Sequence, residues 1–235
     1  MTLRWLICFS ASLLPLCAAP VSGRVELRDS RFAAVRTRHD FAGVVIALTS
    51  VDTTAMPAAS KRAVMLQKDK TFSPHVLAVQ AGSLVEFPND DPIFHNAFSS
   101  YNGQVFDIGL YPPGTTRSVK FARPGVVRVF CNIHAQMSAL IVVVASPYFA
   151  TTKQDGNFSI ADVPAGQYNL SVFHERASEA TLAALSRKIT VGPDGASLPN
   201  MVISEAGYLS IPHKNKYGHD YPADLGDPAY PGSKP

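Results

Sequence analysis

Cysteine is nearly absent from this chain: there are three in 235 residues. Two of them, Cys8 and Cys17, lie within residues 1–23, where one charge, Arg4, precedes an apolar stretch from Trp5 to Ala19 and then small residues. That is the three-part layout of a secretory signal peptide. Its last residue is Ala19 or Gly23; Pro20 makes a poor first residue for a mature chain, which favours Gly23. An acylated start at Cys17 fits less well, because bulky Leu16 precedes it. Without the leader, Cys131 is the sole thiol, and in an oxidising compartment it has no internal disulfide partner. A bound metal would protect it.

Other absences narrow the function. No long apolar run follows the leader, so no membrane-spanning helix is expected in the mature chain. Charge is nearly balanced, 21 Lys and Arg against 18 Asp and Glu. No basic stripe offers the phosphate neutralisation that nucleic-acid binding needs. No serine-centred nucleophile motif appears, so the expectation is not an enzyme. About 210 residues remain after the leader, room for two modest domains in an exported, periplasmic protein.

What is present reads as an all-β protein. Short β-branched and aromatic runs alternate with Gly, Pro, Asn and Asp clusters. The first set of expected strands is Gly43 to Thr49, Ala63 to Gln67, His75 to Val79, Ser83 to Phe87, Thr116 to Phe121, Val126 to Phe130 and Leu140 to Ala145. The second is Asn157 to Ala161, Gln167 to His174, Arg187 to Val191 and Met201 to Ser204. Only Ser178 to Ser186, rich in Ala and Leu, reads as a helical turn or two. Met56 to Ser60 reads as a small-residue linker.

Cys131 opens the run Cys131-Asn132-Ile133-His134-Ala135-Gln136-Met137, and His95-Asn96 closes a segment that begins at Phe87-Pro88-Asn89. One thiolate, two imidazoles and a weak thioether form the donor set of a blue copper electron-transfer site. With the Phe72-Ser73-Pro74 turn, Gly82 and Pro124-Gly125, residues 61–146 resemble a cupredoxin, the Greek-key β-sandwich of small blue copper proteins of the amicyanin and plastocyanin type. The short spacing of Cys131, His134 and Met137 is similar to the amicyanin loop. The resemblance implies one type 1 copper per chain, bound by His95, Cys131, His134 and axial Met137, with Asn96 tying the first ligand strand to the cysteine loop. It also implies an exposed His134 edge for electron transfer, with Ile93, Phe94 and Ala135 helping to form an apolar patch. Donor and acceptor would be redox proteins bound transiently, through a small interface.

Zinc competes as the metal, although a thioether is a rare zinc ligand. A Cys and His catalytic dyad with Cys131 as nucleophile is a further alternative, without a recognisable orienting partner or substrate-pocket signature in the sequence. His39, His75 and His174 read as surface or strand-end residues.

Farther on, Thr151-Thr152-Lys153-Gln154-Asp155-Gly156-Asn157-Phe158 and Val163-Pro164-Ala165-Gly166-Gln167-Tyr168-Asn169-Leu170 resemble the carboxypeptidase regulatory-like, transthyretin-like β-sandwich. Gly156 suits the positive φ of a tight hairpin, and Gly166 after Pro164 lets the chain reverse. The opening strands that this resemblance implies would be Val25 to Leu27 and Gly43 to Leu48. One organisation is therefore a scaffold of 24–58 plus 147–204 with the 61–146 domain inserted; the other is two consecutive domains. Residues 205–235, rich in Pro, Gly, Tyr and charge, read as an extended or disordered tail. Its His213, His219, Asp220 and Asp224 offer a loose second metal site or docking strip, against the simpler reading of a solvated tail. Two further roles compete with electron transfer: a copper carrier or sensor, and an envelope scaffold with a vestigial site.

Overall fold

The structure is a computed structural model and describes residues 18–52, 62–100, 103–210 and 212–222. The body of the leader, the linker at 56–60 and Asp224 lie outside the described residues. The chain runs β1 (Ala18–Arg28), α1 (Ala33–Arg38), β2 (Val45–Ser50), β3 (Arg62–Val64), β4 (Leu66–Lys68), β5 (Thr71–Ser73), β6 (Val76–Gln80) and β7 (Ser83–Pro88). It continues with β8 (Phe98–Ser99), β9 (Phe106–Asp107), β10 (Thr116–Phe121), β11 (Gly125–Phe130), β12 (Ser138–Val144) and β13 (Tyr148–Thr151). The last elements are β14 (Asn157–Pro164), β15 (Gly166–Phe173), α2 (Glu179–Leu185), β16 (Arg187–Val191), β17 (Ala196–Ser197) and β18 (Met201–Ser204). The fold is all-β, with two short helices among the described residues.

Two cores form. In the first, the sheet β13-β2-β15-β16 faces β14-β1-β17, with β18 also on β1. Alternate residues point inward: Val21, Val25 and Leu27 from β1, Ile46 and Leu48 from β2, Phe158 and Ile160 from β14. Gly156 has φ +79, and a Cβ there would overlap the carbonyl oxygen of Val25. Only glycine fits the turn where β14 meets β1. In the second core, β10-β7-β3 faces β6-β12-β11-β8-β9. Val85, Phe87, Val127, Val129, Ile141 and Cys131 fill it.

β2 and β12 belong to different cores and meet each other. Val45 and Ala47 pack against Val142 and Val144, so each strand is buried on both faces. This accounts for their unbroken apolar runs, which a half-exposed strand would not need. β2 pairs with β13, Leu48 opposite Tyr148 and Val45 opposite Thr151. The chain therefore leaves this sheet after Ser50 and returns to it at Tyr148, with β3 to β12 in between.

Polar ties reinforce the junction. His75 Nε2 lies 2.7 Å from Glu175 Oε2, and this partner holds the imidazole's pKa above its ordinary value. His174, placed above among surface or strand-end residues, does follow β15 but is buried, and it donates to Glu205 Oε1 at 2.7 Å. Arg176 pairs with the same oxygen at 2.8 Å, and Ser30 donates to the other. Burial alone would push the Glu205 carboxyl up; the bonds from His174, Arg176 and Ser30 win and hold it at about 2.

One element departs from the sequence reading, and one strand bears on where the expected leader would end. Residues 33–38 are helical rather than sheet: His39 closes α1 in the left-handed conformation (φ 50°), and Arg36 and Arg38 sit in its last turn, where cations suit the helix dipole. With only Val35 buried, six residues are too few to display a helical period. A leader ending at Gly23 would divide β1 (Ala18–Arg28). Val21 is fully buried and pairs with Ile160, whereas an end at Ala19 leaves it in place.

A chain starting at Arg24 should therefore unfold about 5–10 °C below one starting at Pro20 in a thermal scan. It forfeits a buried valine of about 1.5–3 kcal/mol and ladder bonds; equal midpoints would show that Pro20 to Gly23 add nothing. Glu205 supplies stability that is full above the ordinary carboxylate range and lost as pH falls toward about 2. Denaturant titrations of Glu205→Gln between pH 5 and 2 should give a lower and flatter stability profile than the parent.

Candidate metal centre

His95 and Cys131 arrive at the site from different parts of the second core. His95 is held by a two-way bridge with Tyr111: His95 N donates to Tyr111 O at 3.3 Å, and Tyr111 N to His95 O at 2.9 Å. Cys131 directly follows β11, whose last residue, Phe130, pairs with both Phe98 and Ser138. The loop closes on itself, Cys131 N donating to Met137 O at 3.0 Å and Met137 N to His134 O at 3.1 Å.

The imidazoles present matching atoms to the sulfur. Cys131 Sγ lies 3.7 Å from His95 Nδ1 and 3.6 Å from His134 Nδ1. The two rings are 4.8 Å apart and inclined at 63°. His95 and Cys131 are fully buried, while His134 is half-buried. Met137 is fully buried in the same core.

The donors fit a metal. An ion about 2.3 Å from sulfur and about 2.0 Å from nitrogen, with an angle of about 110–120° between them, sets those atoms about 3.5–3.7 Å apart. Both measured separations meet that requirement. Burial pushes the Cys131 thiol's pKa up, while backbone N–H groups of Asn96, Ile133, His134 and Asn132 favour the thiolate. A cation would complete the balance and displace the proton. His95, Cys131 and His134 form the one cluster of three or more His, Cys, Asp or Glu donors among the described residues.

Support for this cluster comes from a residue to which the sequence reading assigned no role. Asp91 is buried, and its Oδ2 accepts from His95 Nε2 at 2.5 Å. This fixes the proton on Nε2 and leaves Nδ1 to face the sulfur. The carboxylate is itself held by Asp69 N at 2.6 Å and Lys70 N at 3.0 Å. Asp69 and Lys70 both have positive φ, 52° and 54°, the turn geometry that closes the tight β4–β5 hairpin. Asn89 secures the intervening segment, accepting from Asp91 N at 3.1 Å and donating to Ile93 O at 2.9 Å. An acid four residues before a candidate ligand histidine was the available sequence signal. Asn96 ties the two ligand segments together, its Oδ1 accepting from Asn132 N at 2.6 Å.

The rim of the cluster is apolar. Phe94 and Ile133, neighbours in sequence of His95 and His134, are 54% and 42% exposed. Ala135 is exposed and Ile93 half-buried. In the tail, His213 stacks on Phe130 with centroids 4.0 Å apart, and Asp220 pairs with Lys214 at 2.7 Å. His219 is exposed. His39 is exposed as well.

No family model and no curated protein matches the chain. Among solved structures, it is similar in part to a purple cupredoxin from Nitrosopumilus maritimus, at 24% identity over 36% of this chain and 100% of that one, TM-score 0.32. It is similar to amicyanin from Paracoccus versutus at 19% identity over 42% and 97% of the two chains, TM-score 0.34. A Cu-containing nitrite reductase from Thermus scotoductus SA-01 shares 23% identity over 41% of this chain, TM-score 0.35; the match spans only 25% of the reductase. No helix among the described residues is long and apolar enough to cross a membrane.

Asp91→Ala should weaken binding of a thiophilic divalent ion about 10–100-fold, the usual cost of losing a carboxylate behind a ligand histidine. Titration with Co²⁺, followed by the thiolate-to-metal absorption band, checks this; an unchanged dissociation constant would remove Asp91 from the site.

Proposed function

We propose that the chain is an exported one-electron carrier in which His95, Cys131, His134 and Met137 would hold one copper ion. The observation that carries this reading is the convergence of two imidazole Nδ1 atoms on one buried sulfur at metal-bridging separation. Copper in such a donor set supplies a one-electron couple, and its soft sulfur ligands favour the reduced ion.

The chain's own residues suit the task. Asp91 and Asn96 hold the donors from behind, so oxidation state can change with little movement of the side chains. Burial of His95 and Cys131 excludes water from the sulfur. His134, half-buried beside exposed Ile133 and Ala135, offers the shortest way out for an electron. Phe94 extends this apolar rim toward a partner that docks briefly over a small area. The first core, similar in its turn sequences to a carboxypeptidase regulatory-like sandwich, serves as the frame into which the copper-binding part is inserted.

Optical and paramagnetic-resonance spectra of the purified chain with copper added test metal and geometry together. We expect intense thiolate-to-copper absorption and reversible voltammetry. Cys131→Ser should abolish the colour with the fold retained, and Met137→Gln should keep copper bound at a lower potential. A blue Cys131→Ser variant would overturn the ligand assignment.

A further inference from the structure

The segment 212–222, expected above to lie extended without a core, packs on the loop that carries three of the four proposed ligands. Tyr221 Oη donates to the carbonyl oxygen of Cys131 at 2.8 Å. The backbone N of Lys216 donates to Asn132 Oδ1 at 2.9 Å. Lys216 Nζ pairs with Asp107 beside the site at 2.7 Å. The His213 ring lies against Phe130 and within 3.2 Å of Tyr221 Oη through Nδ1.

These contacts complete a chain of bonds through the loop. Asn132 donates its backbone N–H to Asn96 and accepts from Lys216 through its side chain. Cys131 donates its own N–H to Met137 O and accepts from Tyr221 at its carbonyl. Both residues at the start of the loop are thus gripped from two sides. The gripping segment has a turn of its own: Asn215 Oδ1 accepts from the backbone of Tyr217 and His219, and Gly218 N returns to Asn215 O. It therefore approaches the loop already shaped, which reduces the entropy lost on docking.

We propose that residues 212–222 form a strap that holds the Cys131–Met137 loop closed over the donor cluster, with Tyr221 and Lys216 as positioning residues. The strap sets how readily the Cys131 sulfur meets a reagent or a thiophilic acceptor. Its consequence for copper rests on the function proposed above; its grip on the loop does not.

The test measures Cys131 directly in the metal-free full chain, with Cys8 and Cys17 replaced by serine. An aromatic disulfide reagent is added under native conditions and the rate of thiol modification is followed. Tyr221→Phe removes the hydroxyl's bond to the loop at Cys131 O, along with its contact to His213 inside the strap, and should raise the rate about five-fold, the factor one ordinary hydrogen bond to the loop contributes. A chain ending at Ser210 should raise it about a hundred-fold. Asp220→Ala, which breaks the pair with Lys214 inside the strap, should leave the rate unchanged. The unfolding midpoint of Tyr221→Phe should match the parent, separating a local grip from global stability.

Rates within two-fold of the parent in both Tyr221→Phe and the shortened chain overturn the strap. If copper binds normally while that happens, the strap fails alone. If the rates rise as stated but no copper binds, the strap stands and the proposed electron-carrier function falls. In the copper-loaded protein, capture of Cu(I) by a chelator should accelerate in the same order as thiol modification.

Discussion

A sulfur atom kept wholly out of water is the constraint around which the site is organised. Cys131 is fully buried, and a buried thiolate is costly unless charge and hydrogen bonds compensate it. Backbone N–H groups of the ligand loop and of Asn96 supply part of that compensation. Two Nδ1 atoms at 3.6 and 3.7 Å complete a donor set ready for a cation. The arrangement works only if each imidazole presents the correct nitrogen. For His95, this falls to Asp91, a buried carboxylate held by two backbone N–H groups of the β4–β5 turn. The β4–β5 hairpin, far upstream of the cysteine in sequence, is in this way a remote support of the site.

The second organising contact is the junction of β2 with β12. Each strand sends alternate residues into its own core and the others into the shared layer of Val45, Ala47, Val142 and Val144. Apolar packing of this kind is non-directional, so orientation comes from the polar ties beside it. His75 to Glu175 links the two cores, and Glu205 gathers His174, Arg176 and Ser30. Because the chain leaves and re-enters one sheet at neighbouring strands, the site-bearing part hangs from a closed frame rather than from a single linker.

Much of the fold was legible because strands have a short period and clear punctuation. Thr116–Phe121, Arg187–Val191 and Met201–Ser204 have the bounds read from sequence, and the helix at Glu179–Leu185 lies within the stretch read as helical, capped by Ser178. The helix at Ala33–Arg38 was not legible, since a turn and a half with one buried residue leaves no periodic trace. Two-residue strands such as Phe98–Ser99 escaped for the same reason: pairing, not composition, makes them strands. Asp91 looked like one acid among several in a loop, since nothing local distinguishes a buried carboxylate from a solvated one. The strap was hidden more completely. Pro, Gly, Tyr and charge are the composition of a solvated tail, and only a complementary surface elsewhere orders such a segment.

What the sequence determined by itself is chemistry and local geometry: the Cys131 thiol, two imidazoles and a thioether in a fixed order, and β-strands between breaking residues. These depend on neighbours a few positions apart, which the chain itself specifies. Only the tertiary structure decided that His95 and Cys131 face each other, that Asp91 holds the imidazole from behind, that Val21 is core, and that Tyr221 reaches the Cys131 carbonyl. Each of these joins segments distant in sequence. Burial and pairing between such segments are properties of the packed whole, and no local pattern encodes them.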